Sequence, residues 1–125
     1  MLRIIKFRGK QINTDEWVYG HLFYGKNEQG QDEAFIVSLD YYCRDGLIDL
    51  NTCASWQVDI DTVGQLVGEG EYGEIYEGMK LYDEYAEEYC TIEYDEKDYA
   101  YRIYYDNYSE ILESLDGLRI LTEEE

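Results

Sequence analysis

Carboxylates are the most abundant side chains in this sequence that could do chemistry. The chain has 29 Asp and Glu residues against 10 Lys and Arg among 125, a formal net charge of -19. Two carboxylates a few ångströms apart can hydrolyse a glycoside, and pairs such as Asp59 with Asp61, or Asp95 with Asp98, could contribute to a Ca²⁺ site. With so many acidic residues such pairs arise by chance, and the spacing of an EF-hand loop is absent.

Other catalytic groups are scarce. His21 is the only histidine, and its place between Gly20 and Leu22 in an apolar stretch is typical of a packed or surface imidazole. The glycine-rich segment 68–73 carries acidic residues where a phosphate-binding loop needs Lys and Ser or Thr, so it predicts a turn. Motifs of serine hydrolases, P-loop enzymes, zinc peptidases and dinucleotide-binding proteins are absent from the sequence. We therefore predict no enzymatic activity and no cofactor.

The acidic residues gather in the second half of the chain. Residues 69–125 hold 19 acidic and 4 basic residues, a net charge of -15. Runs of acids there predict an exposed ridge that binds a basic protein, although a solvated surface that keeps a tyrosine-rich protein in solution is the alternative. The candidate ridge consists of Asp83, Glu84, Glu87, Glu88, Glu93, Asp95, Glu96 and Asp98.

A ridge of this kind raises the hypothesis of DNA mimicry. A folded chain of this mass exposes on the order of 7,000 Å². Spread evenly over that area, the net charge is roughly threefold less dense than the phosphates of duplex DNA. Mimicry therefore requires that the acids cluster on one face.

The first 26 residues have the opposite sign. They carry a net charge of +3, and Lys6, Arg8 and Lys10 alternate along one strand, where they could contact phosphates. The rest of the chain carries -22, which repels nucleic acid. We therefore expect these cations to pair with carboxylates, within the chain or between subunits, and we do not expect direct binding of nucleic acid.

The cysteines and the hydropathy indicate the cytoplasm. Cys43, Cys53 and Cys90 are odd in number and lack the Cys-x-x-Cys spacing, which favours free thiols in a reducing compartment, with a Cys43–Cys53 disulfide as the alternative. The sequence has no apolar run near the ~20 residues that span a bilayer. We also find no signal-peptide pattern at the N-terminus, so we expect no membrane association.

A period of two dominates the hydropathy pattern and predicts strands. In the first strand Ile5 and Phe7 are expected on the buried face. The second strand is apolar on both faces and should be central, with Trp17 and Tyr19 as core anchors. The predicted strands are 5–8, 17–24, 34–37, 55–58, 62–67, 74–82 and 118–121.

A hairpin is the clearest local prediction. Strands 89–94 and 99–105 flank a four-residue loop at 95–98. In this register Tyr94 faces Tyr99, Ile92 faces Tyr101 and Cys90 faces Ile103, all on one face of the hairpin.

One short helix is predicted at 109–115. Ser109 is suited to the N-cap, and Ile111, Leu112 and Leu115 supply an apolar stripe. Gly117 ends the segment.

Four short segments occur in a recognisable order: Lys6-Phe7-Arg8-Gly9-Lys10, Trp17-Val18-Tyr19-Gly20, Thr62-Val63-Gly64-Gln65 and Ile75-Tyr76-Glu77-Gly78. Together they resemble the YopX family of phage and prophage proteins, in which KFRGK is followed by WVYG, by TVGQ with a Thr-Gly turn, and by IYEGD. The chain departs from that pattern at 66–68, which reads Leu-Val-Gly, and at Met79, where the family has an acidic residue.

The resemblance implies an all-β protein of phage ancestry, with a C-terminal part similar to a small SH3-like barrel. It implies no established activity and no catalytic residues. We interpret the motif residues as structural: Arg8, Gly9, Lys10, Trp17, Gly20, Gly64, Gln65, Tyr76, Glu77 and Gly78.

These observations predict one all-β domain over 1–125, a small open barrel or roll with at most one short helix near 109–115. Its N-terminal lobe covers about 1–67 and its SH3-like C-terminal lobe about 74–125. The predicted function is that of a phage-type accessory protein, an acidic modulator or inhibitor of a basic, nucleic-acid-handling host or phage protein. The alternatives are a structural protein that self-associates through its tyrosine-rich β surface, and a small-ligand site on an aromatic platform around Trp17 or Trp56.

Overall fold

The structure is a computed structural model that describes residues 5–38, 42–44, 47–49 and 54–121, with the backbone alone described at 42–44 and 47–49. These residues form twelve strands and no helix. The strands are β1 (Phe7–Gln11), β2 (Trp17–Lys26), β3 (Asp32–Val37), β4 (Tyr42–Arg44), β5 (Leu47–Asp49), β6 (Ser55–Gly70), β7 (Gly73–Tyr76), β8 (Leu81–Asp83), β9 (Glu88–Asp95), β10 (Ala100–Tyr104), β11 (Ser109–Ile111) and β12 (Leu118–Ile120). The prediction of a small all-β barrel protein is confirmed.

The chain divides into two compact units, Met1–Gln65 and Leu66–Glu125. The division falls within β6, whose first part pairs with β1 and β3 and whose last part pairs with β7. The two strands predicted at 55–58 and 62–67 are therefore one continuous strand.

Unit 1 contains a closed four-stranded barrel. Its strands follow the order β1-β2-β3-β6, and β1 pairs again with β6, so the sheet closes on itself. Like the other strands of the closed barrel, β2 has two neighbours, β1 and β3, and its outer face is largely exposed. The core consists of Val18, Ala34, Ile36 and Val58, and Phe7, Leu22, Trp56 and Val63 pack against it.

Glycines allow the barrel strands to approach closely. A Cβ on Gly20 would lie 1.9 Å from the carbonyl oxygen of Val37. A Cβ on Gly9 would lie 2.8 Å from the Val58 side chain in the barrel core. The two sites need glycine because backbone or core atoms already occupy the space of a side chain.

Unit 2 is built on a five-stranded antiparallel sheet in the order β11-β10-β9-β8-β12. The C-terminal part of β6 pairs with β7 and forms a further hairpin in this unit. Residues of both parts share one core: Ile75, Tyr76, Met79, Leu81, Cys90, Ile92, Ile103 and Leu118. The last strand, predicted at 118–121, is confirmed as β12.

The hairpin of β9 and β10 forms in a different register from the predicted one. Tyr94 faces Tyr101, and Ile92 faces Ile103. The loop still has four residues but lies at 96–99, so Tyr99 is a loop residue with a positive φ of 51°. Because the register moves by two residues and side chains alternate with period two, the buried face is unchanged.

The predicted helix at 109–115 is wrong, because Ser109–Ile111 forms strand β11 and pairs with β10. Seven residues with one apolar stripe make a helix that is marginal without tertiary support. Strand pairing satisfies the same backbone groups, and Leu112 and Leu115 still pack on the core.

Two expectations about buried faces in unit 1 are also wrong. Ile5 is 56% exposed and Tyr19 42% exposed, whereas Arg8 is buried. Tyr19 points away from the core because Val18 and Gly20 take the inner positions of β2. Trp17 is half-buried on the same outer face as Tyr19.

The segment between β3 and β6 contains the short antiparallel pair β4 and β5. The alternative Cys43–Cys53 disulfide lies outside the described side chains, since Cys53 is not described and Cys43 is described by its backbone alone. Among the described residues, no helix is both long and apolar enough to cross a membrane.

Candidate functional site

Three of the four motif segments lie side by side in unit 1. Lys10 pairs with Trp17 and Arg8 with Tyr19 across β1 and β2, while Arg8 also pairs with Gly64 and Phe7 with Gln65 across β1 and β6. A bulge between Arg8 and Lys10 interrupts the second pairing, and there the backbone N–H of Lys10 donates to Thr62 Oγ1 at 2.8 Å. The motif order in the sequence thus corresponds to one three-stranded arrangement.

Cations and aromatic rings alternate on the outer face of this arrangement. The Arg8 guanidinium lies 3.7 Å from the centre of the Trp17 ring, and the Lys10 ammonium 5.6 Å from the same ring. Lys6 lies 5.8 Å from the ring of Tyr19. Cations over ring faces are stabilised by the ring quadrupole, so this cluster orders the basic side chains.

The fourth motif segment lies in unit 2. Tyr76 is buried and donates its hydroxyl hydrogen bond to Glu74 at 3.1 Å, and the Gly78 N–H donates to the carbonyl oxygen of Ile92. Gly78 has a positive φ of 78°. Met79, which replaces the acidic residue of the family pattern, is buried in the core.

The acidic ridge predicted from the sequence contains one residue that is not on the surface. Asp83 is only 8% exposed. Its Oδ1 accepts hydrogen bonds from the backbone N–H groups of Tyr85 at 3.0 Å and Ala86 at 3.1 Å. Its Oδ2 accepts a hydrogen bond of 2.6 Å from the Tyr105 hydroxyl. The assignment of Asp83 to an exposed ridge is therefore wrong, because Asp83 follows Leu81 on the inner face of β8.

Asp83 holds in place the segment that follows it, residues 84–88, which we call the acidic turn. Glu84 and Glu87 are exposed and Glu88 is half-buried. Glu84 accepts a hydrogen bond from the Tyr72 hydroxyl at 2.5 Å, and Glu88 accepts one from Tyr108 at 2.8 Å. The tyrosine hydroxyls are neutral donors, so they fix the Glu84 and Glu88 carboxylates in place without neutralising their negative charge.

A tyrosine stands at the centre of the acidic turn. Tyr85 is 77% exposed, yet its ring lies so close to Gly117 that a Cβ there would come within 2.5 Å of it. The Glu84 N–H also donates to the Gly117 carbonyl oxygen at 2.9 Å. The acidic turn is thus an exposed feature whose backbone and central ring are both held by unit 2.

The remaining acids lie around the loop between β9 and β10. Asp98 forms a 2.8 Å ion pair with Arg102, and Asp95 lies 3.8 Å from the same guanidinium. Glu96 is exposed in the loop, and Glu93 is exposed on β9 opposite Arg102. Arg102 and Lys97 therefore offset much of the charge of this group.

The two groups of acids lie at opposite ends of one strand. Glu88 and Asp95 are the first and last of the eight residues of β9, about 24 Å apart at the rise of a strand. The structure therefore brings Glu84, Glu87 and Glu88 together, and it places Asp95, Glu96 and Asp98 in a separate, partly neutralised group.

The surroundings of the acidic turn raise the pKa values of neighbouring groups. Burial and the hydrogen bond to Asp83 raise the pKa of Tyr105 well above its usual value of 10.0. Burial, together with Asp83 and Glu88, raises the pKa of the Cys90 thiol to about 11. The hydrogen bonds to Glu84 and Glu88 raise the pKa of Tyr72 and Tyr108. All four groups thus stay protonated at neutral pH, and Cys90 is a buried, unreactive thiol.

Metal binding finds no support in the described part of the chain, where no three His, Cys, Asp or Glu side chains form a group able to hold an ion. Asp59 instead accepts the N–H of Asp61, and Asp95 accepts the N–H of Lys97.

A shallow cleft of about 270 Å³ lies in unit 1. Ala34 and Val58 lie among its lining residues, together with Lys10 and the acids Asp15, Glu33 and Asp59. Neither Trp17 nor Trp56 lines it, so this cleft is not the aromatic platform predicted from the sequence.

Sequence reasoning missed the tyrosines that hold the acidic turn. Tyr72, Tyr105 and Tyr108 lie 12, 22 and 20 residues from their acidic partners, and no local pattern links such distant positions. The one sequence feature that indicates the burial of Asp83 is its position two residues after Leu81, on the same face of a predicted strand.

The chain matches no family model, no curated protein and no solved structure. The resemblance to the YopX family thus remains a prediction made from the four motif segments.

Proposed function

We propose that this chain acts by binding and that the acidic turn, residues 84–88, is its binding surface for a basic protein. The observation that carries the proposal is the combination of exposed carboxylates and an exposed tyrosine on a backbone held by Asp83. Ordering a surface before association reduces the entropy lost on binding. Tyrosine is also enriched among the residues that dominate binding energy.

The chemistry of the partner follows from charge. The turn and the chain as a whole are strongly acidic, so they attract basic surfaces and speed the encounter with them. A nucleic-acid-handling protein of the host or of a phage has such a surface, and the chain would then modulate or inhibit it in the cytoplasm. The proposal includes no catalytic step, and it does not include direct binding of nucleic acid.

DNA mimicry is the narrower form of this proposal. It would rest on the acidic turn rather than on a continuous ridge, because Arg102 forms ion pairs with Asp95 and Asp98 around the loop between β9 and β10. A mimic would compete with duplex DNA for its target, whereas a modulator that binds elsewhere would leave DNA binding intact.

The test is capture of partners from a host lysate at low and at high salt, with wild type compared to a Glu84→Lys/Glu87→Lys variant. We expect basic proteins to be retained by wild type at low salt, lost at high salt, and lost by the variant at both. The matched control is Glu16→Lys/Glu28→Lys, which makes the same change in net charge at exposed positions of unit 1. Equal loss with the control would show that only overall charge matters, and capture unaffected by either variant would overturn the proposal.

A further inference from the structure

Strand β2 extends beyond β1 and has one side without a neighbouring strand in the described part of unit 1. β1 pairs with residues 17–20 of β2, whereas β3 pairs with residues 21–26. No strand within the described ranges of the chain pairs with the side of residues 23–26 that faces away from β3. We call this side of residues 23–26 the open edge.

The hydrogen bonds between β2 and β3 determine which backbone groups face the open edge. The N–H of Asn27 donates to the carbonyl oxygen of Gln31 at 3.0 Å, in the same register that pairs β2 with β3. Opposed residues of an antiparallel ladder alternate between hydrogen-bonded and non-hydrogen-bonded pairs, so every second residue of β2 bonds to β3, and Tyr24 and Lys26 lie between those residues. The N–H and C=O groups of Tyr24 and Lys26 therefore point to the open edge.

The end of the hairpin that carries the open edge is held in shape. Asn27 Oδ1 accepts hydrogen bonds from two backbone N–H groups of the turn, both at 2.9 Å. Lys26 forms an ion pair of 2.7 Å with Asp32 across the two strands. Charged side chains and proline prevent most exposed edges from pairing with another chain. Here the charge of the lysine is paired, residues 17–26 contain no acid, and the chain has no proline.

The side chains at the open edge leave one position empty. Phe23 is 58% and Tyr24 61% exposed, and they lie on opposite faces of the hairpin because side chains alternate along a strand. Gly25 lies on the same face as Phe23, and no atom is found within 4 Å of the place that a Cβ on Gly25 would take. An exposed aromatic ring thus lies two residues from an uncovered stretch of backbone.

We infer that the open edges of two copies pair antiparallel about a two-fold axis, so that the two β2–β3 hairpins form one continuous sheet. In the register that places Tyr24 opposite Tyr24 of the second copy, each Phe23 lies opposite Gly25 of the other copy. Each ring then covers the uncovered backbone of that glycine, a cross-strand pairing that stabilises edge glycines. The backbone groups of the two Tyr24 residues bond to each other, and their rings lie side by side on the opposite face.

The size and charge of this contact predict a weak dimer that salt strengthens. Each copy contributes only the open edge, which is smaller than the roughly 800 Å² per partner of a standard interface. Two copies of -19 repel each other, and salt screens that repulsion. The contact itself depends on backbone hydrogen bonds and aromatic rings, so salt does not weaken it. Binding of a basic protein by the acidic turn has the opposite salt dependence, and the dimer does not use the acidic turn.

Sedimentation velocity over a range of concentrations tests the inference on wild type, Tyr24→Pro and Tyr24→Ala. Both variants lose the ring, but only proline removes the N–H that points to the open edge, and it leaves the ladder with β3 intact. We expect Tyr24→Pro to dimerise roughly tenfold more weakly than Tyr24→Ala, from the loss of two hydrogen bonds between the copies. Phe23→Ser should also dimerise more weakly than wild type. The matched control Tyr99→Ser, which removes a ring that is 83% exposed in unit 2, should dimerise like wild type, and circular dichroism checks that each variant is folded.

Amide hydrogen exchange at low and at high protein concentration locates the contact. The N–H groups of Tyr24 and Lys26 should exchange more slowly at high concentration, whereas those of Phe23 and Gly25, which bond to β3, should be protected at both. A wild type that stays monomeric up to about 1 mM would overturn the inference, even where a strand of another protein binds the open edge. Equal dimerisation of Tyr24→Pro and Tyr24→Ala would also overturn it, as would a dimer that leaves Tyr24 and Lys26 unprotected.

Discussion

At the scale of single residues, Asp83 links the fold of unit 2 to its surface. Its carboxylate accepts hydrogen bonds from two backbone N–H groups and from the Tyr105 hydroxyl. A run of acids in the sequence indicates an exposed segment, and for Glu84 and Glu87 that prediction is correct. It fails for Asp83 because this residue follows Leu81 on the inner face of β8, where the hydroxyl of Tyr105, 22 residues away in the sequence, donates to its carboxylate.

Removing the Tyr105 hydroxyl should destabilise the protein. Tyr105→Phe leaves a buried carboxylate oxygen without its donor, and we expect the free energy of unfolding at neutral pH to fall by about 1–3 kcal/mol. Urea denaturation measures the change. The matched control is Tyr108→Phe, which removes an exposed hydrogen bond to Glu88 and should cost about 0.5 kcal/mol or less. Equal effects of the two variants would contradict a special role for Asp83.

The same hydroxyl should make the fold sensitive to alkali. The pKa of Tyr105 is raised in the folded protein, so its contribution to stability is complete below the unfolded value of about 10 and is lost above it. In that range the unfolded chain has released a proton that the folded chain still holds. The free energy of unfolding should therefore fall by about 1.4 kcal/mol per pH unit from this group alone. Urea denaturation between pH 9 and pH 11, as approximate limits around that pKa, should give a flatter profile for Tyr105→Phe.

At the scale of elements, alternating hydropathy predicted most strands and the buried faces of the β9–β10 hairpin. The register of that hairpin could not be predicted, since registers that differ by two residues bury the same side chains. The predicted helix at 109–115 failed for a different reason. The spacing of its apolar residues fits either a helix or a strand. Residues 109–111 form a strand because they pair with the edge of β10.

Closure of the barrel should depend on Gly20. A Cβ at Gly20 would overlap the backbone carbonyl of Val37, so Gly20→Ala must displace β2 from β3. We expect a loss of about 3 kcal/mol or more, in the range of severe overpacking. Gly25 lies in the same strand with no atom within 4 Å of its Cβ position, so Gly25→Ala should have little effect. Thermal melts of both variants test this, and similar melting temperatures would contradict the close approach.

At the scale of the whole molecule, charge decides the behaviour in solution. Net charge and its division between a basic beginning and an acidic remainder follow from the sequence alone. The placement of the acids does not, because it depends on which hairpin ends they occupy and where Arg102 lies. The acids therefore form two separate groups in the structure, and not the continuous ridge predicted from the sequence.

Self-repulsion should make the protein more stable in salt. At -19 the compact chain concentrates like charges, and added salt screens them. We expect the melting temperature to rise when sodium chloride is raised from low to physiological concentration. The variant Glu16→Lys/Glu28→Lys makes the net charge less negative, so its melting temperature should rise less with salt. A melting temperature that falls with salt would indicate that attractive ion pairs outweigh the repulsion.

The buried thiol of Cys90 offers a way to follow the opening of unit 2. Cys90 is 5% exposed in the core, and its pKa of about 11 keeps it protonated at neutral pH. An alkylating reagent can then modify it only when the core opens, so its labelling rate reports how often that occurs. Peptide mapping would distinguish Cys90 from Cys43 and Cys53, and a basic protein that binds the acidic turn should slow the labelling of Cys90.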